Sequence, residues 1–188
     1  MKSTTKRDQS YSRNLALAKI LWSGQIHSHQ KSALKSFSDK YQLSVSSGDL
    51  QLLEGRWYVT HSGLIRLAER KRCAGINVSP IMQFCDTSSS RWIFKAIVYK
   101  KSGSKGFVGY GDADPSNVST FLHGAEMRIA ETRAVNRALR KAYGIGLCSV
   151  EELGSTSSYR GPSQDPDPET KHSSNGSNNG QPRLRDQL

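Results

Sequence analysis

Between residues 43 and 153 apolar and polar positions alternate, with a period that changes along the chain. Arg56-Trp57-Tyr58-Val59-Thr60 is a short aromatic and β-branched run, which predicts a strand. Leu64, Ile65, Leu67 and Ala68, opposed by Arg66, Glu69 and Arg70, have the spacing of a short helix. Ile76, Val78, Met82 and Phe84 alternate as a strand, and Pro80 places it at an edge or a bulge. Trp92, Phe94, Ala96 and Val98 form one face of the next strand. The Gly- and Ser-rich stretch Lys100–Gly106 is a hairpin turn, and Phe107–Gly111 returns as a third strand. After a loop over Asp112–Val118, a long helix is expected from Thr120 to Tyr143, stopped by Gly144 as a left-handed cap. Ser149 and Glu152 are spaced as a capping box opening a short terminal helix. A strand and helix, a three-stranded antiparallel meander and a long packing helix make an α+β domain.

The ends read differently. Residues 1–42 hold eight basic and two acidic side chains, with abundant Ser and an apolar patch, Leu15–Trp22, long enough for about two helical turns. This block reads as an organelle-targeting presequence or as a basic flexible arm. Residues 154–188 carry four charges of each sign and only Tyr159, Leu184 and Leu188 as apolar side chains, so a disordered tail is expected.

The whole chain has 188 residues and a formal charge of +11. That balance favours a polyanionic partner, nucleic acid ahead of an anionic membrane. No run approaches the ~18 apolar residues of a membrane span, so no membrane partner is expected. Cys73, Cys85 and Cys148 form no C-x-x-C pair, which argues against a structural zinc site and fits a reducing compartment.

On the long helix, Arg133, Arg137 and Arg140 fall within roughly 60° of arc, with Asn136 beside them. Ala134, Val135, Ala138, Leu139, Ala142 and Tyr143 occupy the opposite arc and should pack on the sheet. Three guanidinium forks along about 10 Å of axis suit successive phosphates. The plain alternative is a solvated face. Arg128 and Glu131 fall in the apolar arc, where a subunit contact, a mutual pair or partial exposure would accommodate them.

The segment His123-Gly124-Ala125-Glu126-Met127-Arg128 through Arg137-Ala138-Leu139-Arg140-Lys141-Ala142-Tyr143-Gly144, with Val108-Gly109-Tyr110-Gly111 upstream, resembles the single-strand annealing family called Rad fifty-two. Tyr58-Val59 and Leu67-Ala68 also sit at that family's spacing, and the short plant organellar DNA-binding members are the most similar. The resemblance spans residues 43–153. It implies a closed homo-oligomeric ring with single-stranded DNA in an outer basic groove, bases presented for pairing and no nucleotide hydrolysis. It implies groove-lining roles for Arg137 and Arg140 and a DNA contact for Tyr58. Asn136 departs from the family's basic residue, which would shift one phosphate contact to Arg133 or Lys141. Lys95, Lys100, Lys101 and Lys105 would form the other groove wall, or merely a soluble hairpin tip.

Other signals are weaker. Gly106–Gly111 resembles a phosphate loop, but Asp112 and Asp114 follow it and no Gly-Lys dipeptide exists. Lys105-Gly106-Phe107 partly matches the RNA-recognition motif, whose element order differs. Asp112, Asp114, Glu126 and Glu131 as a nuclease site, and His27 and His29 as metal ligands, are the least favoured readings. The expectation is a non-enzymatic protein of homologous recombination and DNA repair that binds and anneals single-stranded DNA without ATP, metal, cofactor or small-molecule substrate. Double-stranded DNA and RNA are further candidate partners. An organellar RNA-binding accessory factor using the same groove is the alternative. The mitochondrion is the expected location, ahead of chloroplast or nucleus.

Overall fold

The computed structural model describes residues 6–154. Two helices come first, α1 (Lys6–Leu21) and α2 (Ser28–Tyr41), then a hairpin of β1 (Leu50–Leu53) and β2 (Arg56–Val59). Helix α3 (His61–Arg70) leads into the antiparallel sheet of β3 (Gly75–Pro80), β4 (Trp92–Tyr99) and β5 (Phe107–Ala113), in that spatial order. Helix α4 (Glu126–Tyr143) packs on one face of this sheet, and a 3₁₀ turn at Val150–Glu152 follows. The α+β architecture with a three-stranded meander and a long packing helix is the one expected. The tail expectation concerns residues outside those described, apart from Gly154.

Helix α4 approaches β5 unusually closely, and the sequence is built for it. Gly109 and Gly111 face the helix, where a Cβ on either would overlap the backbone of Ala130, Ala134 or Ala138. Those alanines repeat every four residues and form one stripe of α4. This explains the Gly-x-Gly of β5: the glycines admit a helix backbone, not a phosphate. Phe94, Ala96 and Val98 of β4 complete the buried face. On the far side of α4, Leu139, Val135 and Ala142 belong to the same core as Leu64, Leu67 and Ala68 of α3.

Residues 6–41 are part of this unit, so the boundary expected at residue 42 is corrected. Asn14 of α1 is buried; its Nδ2 donates to Ser38 Oγ and the Leu43 carbonyl, and its Oδ1 accepts from the Val45 amide. Gln30 of α2 donates to the Gly55 carbonyl, while Trp57 Nε1 donates to the Gln30 carbonyl. Trp22 meets Trp57 edge-to-face at 5.5 Å. Leu34 is fully buried, a contribution of about 1.5–3 kcal/mol. The basic block is folded helix, with Lys19, Lys35 and Lys40 exposed and Asn14, Ala18, Gln30 and Leu34 buried.

Local boundaries also move. The strand expected to reach Phe84 ends at Pro80, and Met82–Phe84 forms a 3₁₀ turn. The long helix begins at Glu126, because Gly124 at φ 88° separates it from the 3₁₀ turn Thr120–Leu122. It ends as expected, with Gly144 left-handed at φ 66°. Ser149 and Glu152 do form a capping box, on a single 3₁₀ turn.

Candidate nucleic-acid interface

Strand β5 is an edge strand, so its even-numbered residues turn their carbonyls outward. Each of three such carbonyls is taken by one cation of α4. Arg133 Nη1 donates to Asp112, Arg137 Nη1 to Tyr110 and Lys141 Nζ to Val108. Four residues of helix rise about 6 Å and two of strand about 6.8 Å, so side chains at i, i+4 and i+8 match alternate strand carbonyls. The stripe is thus part of the architecture, because it covers a sheet edge that would otherwise be open.

Arg133 is corrected from a phosphate contact to a buried staple. It is 4 % exposed, and all five of its N–H donors are engaged. Nε donates to the Glu151 carbonyl, Nη1 to Asp112 O and Asn117 Oδ1, and Nη2 to the carbonyls of Asn117 and Leu153. Burial draws its guanidinium below the usual range, and Asp112 opposes that shift. No donor remains for an external anion.

Asn136 is likewise corrected: it is fully buried. Its Nδ2 donates to Ser149 Oγ and Glu151 Oε2, and its Oδ1 meets His61 Nδ1 at 2.6 Å. With Oδ1 the acceptor, His61 carries its proton on Nδ1. Asn136 therefore offers no group to an outside phosphate.

Arg140 and Arg137 share the carboxylate of Glu152, whose side chain is 4 % exposed. Arg140 Nη1 meets both its oxygens at 2.8 and 2.7 Å, and Arg137 Nε donates to Oε2 at 3.3 Å. Glu152 also accepts from the Ser149 amide and hydroxyl, so it is fixed twice over. Arg140, 22 % exposed, is held through Nη1 only, and its Nε is buried without a partner among the described residues. Arg137 differs: its side chain is 35 % exposed and its Nη2 has no partner among the described residues, although Asp112 lies 3.3 Å from Nη1. Of the expected stripe, Arg133 and Asn136 are sealed, whereas Arg137, Arg140 and Lys141 keep donors not used within the described residues.

The remaining expected residues lie apart. Tyr58 stands half-buried across from Gln51 on the hairpin face turned away from Leu52 and Val59. Lys95 lies on the sheet face opposite α4, paired across strands with Tyr110. Lys100, at the β4–β5 turn, places its Nζ 5.8 Å from the ring centroids of Phe107 and Tyr143, within cation–π reach. Burial pushes the Tyr143 phenol up, which keeps that ring neutral.

Lys100 belongs to a larger cationic pole. The Ala74 amide donates to the Tyr99 carbonyl, bringing the end of α3 to the β4–β5 turn. Arg70 donates to the Tyr41 carbonyl, Tyr41 donates to the Gly144 carbonyl, and Lys40 lies over the Tyr41 ring at 4.9 Å. Lys40, Arg70, Lys71, Arg72, Lys100, Lys101, Lys105 and Lys141 therefore gather at one end of the fold, all exposed. Glu69 is exposed in the same region, and Asp39 of α2 is paired with Lys35 at 2.9 Å. Helices α2, α3 and α4 all end here, and their dipoles favour cations. The turn lysines lie beyond that explanation. Sequence reading missed Lys40, Arg70, Lys71 and Arg72; the run Arg70-Lys71-Arg72 was a visible signal, but only the fold brings it to the turn.

Among the described residues, no group of three or more His, Cys, Asp or Glu side chains is placed to hold a metal, and no helix is long and apolar enough to cross a membrane. Comparison with family models, curated proteins and solved structures finds no match to this chain.

Proposed function

We propose that this protein binds and anneals single-stranded DNA without nucleotide hydrolysis, in the manner of the Rad fifty-two family it resembles, in homologous recombination and repair. The cationic pole is the observation that carries the reading. Eight exposed basic side chains with a single exposed acid between them favour a polyanion over any neutral partner. Exposed lysines on a turn and at helix ends neutralise phosphates and release counterions, so a second strand approaches with less repulsion. Base pairing then supplies the specificity. The grip differs from the expected arginine ladder: it is made by the pole, Lys141 included, with Arg137 at its border.

Assembly into a ring is part of the same proposal. The end of the sheet away from the pole exposes Met82, Phe84, Phe121, Leu122 and Met127. Such apolar groups mark association surfaces. A mitochondrial address would leave α1 and α2 attached, since removing them would strip Ala18 and Leu34 from the core.

Fluorescence anisotropy with a labelled oligonucleotide, titrated with salt, tests the reading. Changing Lys100, Lys101 and Lys105 together to Gln should flatten the slope of log K against log salt by about 2, at roughly 0.7 per lost contact. Annealing of complementary strands without ATP should slow in parallel, and light scattering should show a large oligomer. An unchanged slope, or binding indifferent to salt, overturns the pole; a clean monomer at micromolar concentration overturns the ring.

A further inference from the structure

Among the described residues, α4 is the helix that packs on the sheet, and no other helix covers the face turned away from it. An antiparallel sheet wetted on one side ordinarily alternates apolar-in with polar-out. Here the outward positions of β4 are Ile93, Lys95, Ile97 and Tyr99, and those of β5 include Val108 and Tyr110. Three of the four on β4 are apolar or aromatic, while β3 adds the polar Asn77 and Ser79, so the apolar floor is confined to β4 and β5. Tyr99 is already used, since its ring and Ile97 close over Gly106. Tyr110 is not: it is 51 % exposed.

Cations flank Tyr110 on both sides. Lys95 is its direct cross-strand partner, in a non-hydrogen-bonded pair where side chains stand closest. Along the outer edge of β5, Arg137 donates to the Tyr110 carbonyl and Lys141 to that of Val108. The acid on this face, Asp112, lies beyond Tyr110 and is tied to Arg137 and Asn117. Between Lys95 on one side and Arg137 and Lys141 on the other, an aromatic ring on an apolar floor suits a planar base joined to phosphates. The cations around this face favour a polyanion there, and the apolar end at Met82, Phe84 and Phe121 is the surface left for contact between copies.

We infer that the open sheet face is a base-stacking platform for single-stranded nucleic acid, with one base on Tyr110 and flanking phosphates at Lys95 and at the Arg137–Lys141 edge. This rests on the proposed binding function and adds a contact to base as well as to backbone. Stacking on an exposed ring is sequence-tolerant, because every base has a π face.

The test separates stacking from charge in the full-length protein. Tyr110→Ala should weaken oligonucleotide binding by about ten-fold while leaving the salt slope intact, and Tyr110→Phe should restore affinity. Lys95→Gln should flatten the slope by about 0.7. An oligonucleotide carrying 5-iodouracil should photo-crosslink to the peptide containing Tyr110, which reports contact independently of affinity. The thermal midpoint of each variant shows that the fold is kept, as the half-exposed ring leads us to expect. Salt-dependent binding by the wild type with no effect of Tyr110→Ala and no crosslink overturns the platform and leaves the binding function standing. Loss of oligomerisation in Tyr110→Ala with affinity unchanged also overturns it, in favour of a second copy. A wild type that binds no oligonucleotide removes the binding function, and the platform with it.

Discussion

Replacing Arg133 with Met tests whether the helix stripe is structural. The side chain has five N–H donors, each bonded to an oxygen of its own chain, at distances from 2.7 to 3.1 Å. Met fills similar length but donates nothing, leaving carbonyls of Asp112, Asn117, Glu151 and Leu153 without that partner. Breaking a buried charged network typically costs about 3–5 kcal/mol. For a domain of this size each kcal/mol lowers Tm by about 2–4 °C, so a fall on the order of 10 °C is expected. Arg133→Lys keeps the charge and three donors of a different shape, and should fall between. The assay is thermal unfolding by circular dichroism beside the salt titration of oligonucleotide binding. At temperatures where the variant is folded, its salt slope should match the wild type. A variant as stable as wild type with a flattened slope refutes the staple and restores Arg133 as a phosphate contact.

Two further changes probe neighbouring features. Glu152→Gln keeps the volume but removes the carboxylate that Arg137 and Arg140 share; it should cost about 3 kcal/mol and lower Tm measurably. Once freed, the arginine pair should tighten oligonucleotide binding and steepen the salt slope, whereas a loss of stability with binding unchanged assigns both arginines to structure alone. Gly111→Ala puts a methyl group into the α4 backbone and should cost at least 1–3 kcal/mol in denaturant unfolding. Wild-type stability there would show that helix and sheet are not held so close.

Much of the fold is local, and the sequence determined it alone. The alternation in Trp92–Val98, the turn at Lys100–Gly106, the cap at Gly144 and the box of Ser149 with Glu152 each depend on neighbours a few residues apart. The apolar arc of α4 was equally legible, since Ala134, Ala138, Leu139 and Ala142 are buried as their spacing requires. Composition hid α1 and α2: α1 exposes Ile20 and Leu21 while burying Asn14, so its pattern shows no apolar face, and the lysines and serines look, in sum, like an unstructured arm.

The tertiary structure decided what the basic residues do. A helical wheel shows which side chains share an arc, but not what crosses that arc. Here residues 148–153 return over α4 and the 112–117 loop closes from the other side, so Arg133 and Asn136 are sealed in and Glu152 reaches Arg137 and Arg140. Those contacts join residues 12 to 21 positions apart, beyond the reach of helical periodicity. The cationic pole depends on still longer separations, with Tyr41 bonded to Gly144 across 103 residues. Charge is written in the sequence; whether it faces solvent or its own chain is settled only when distant segments meet.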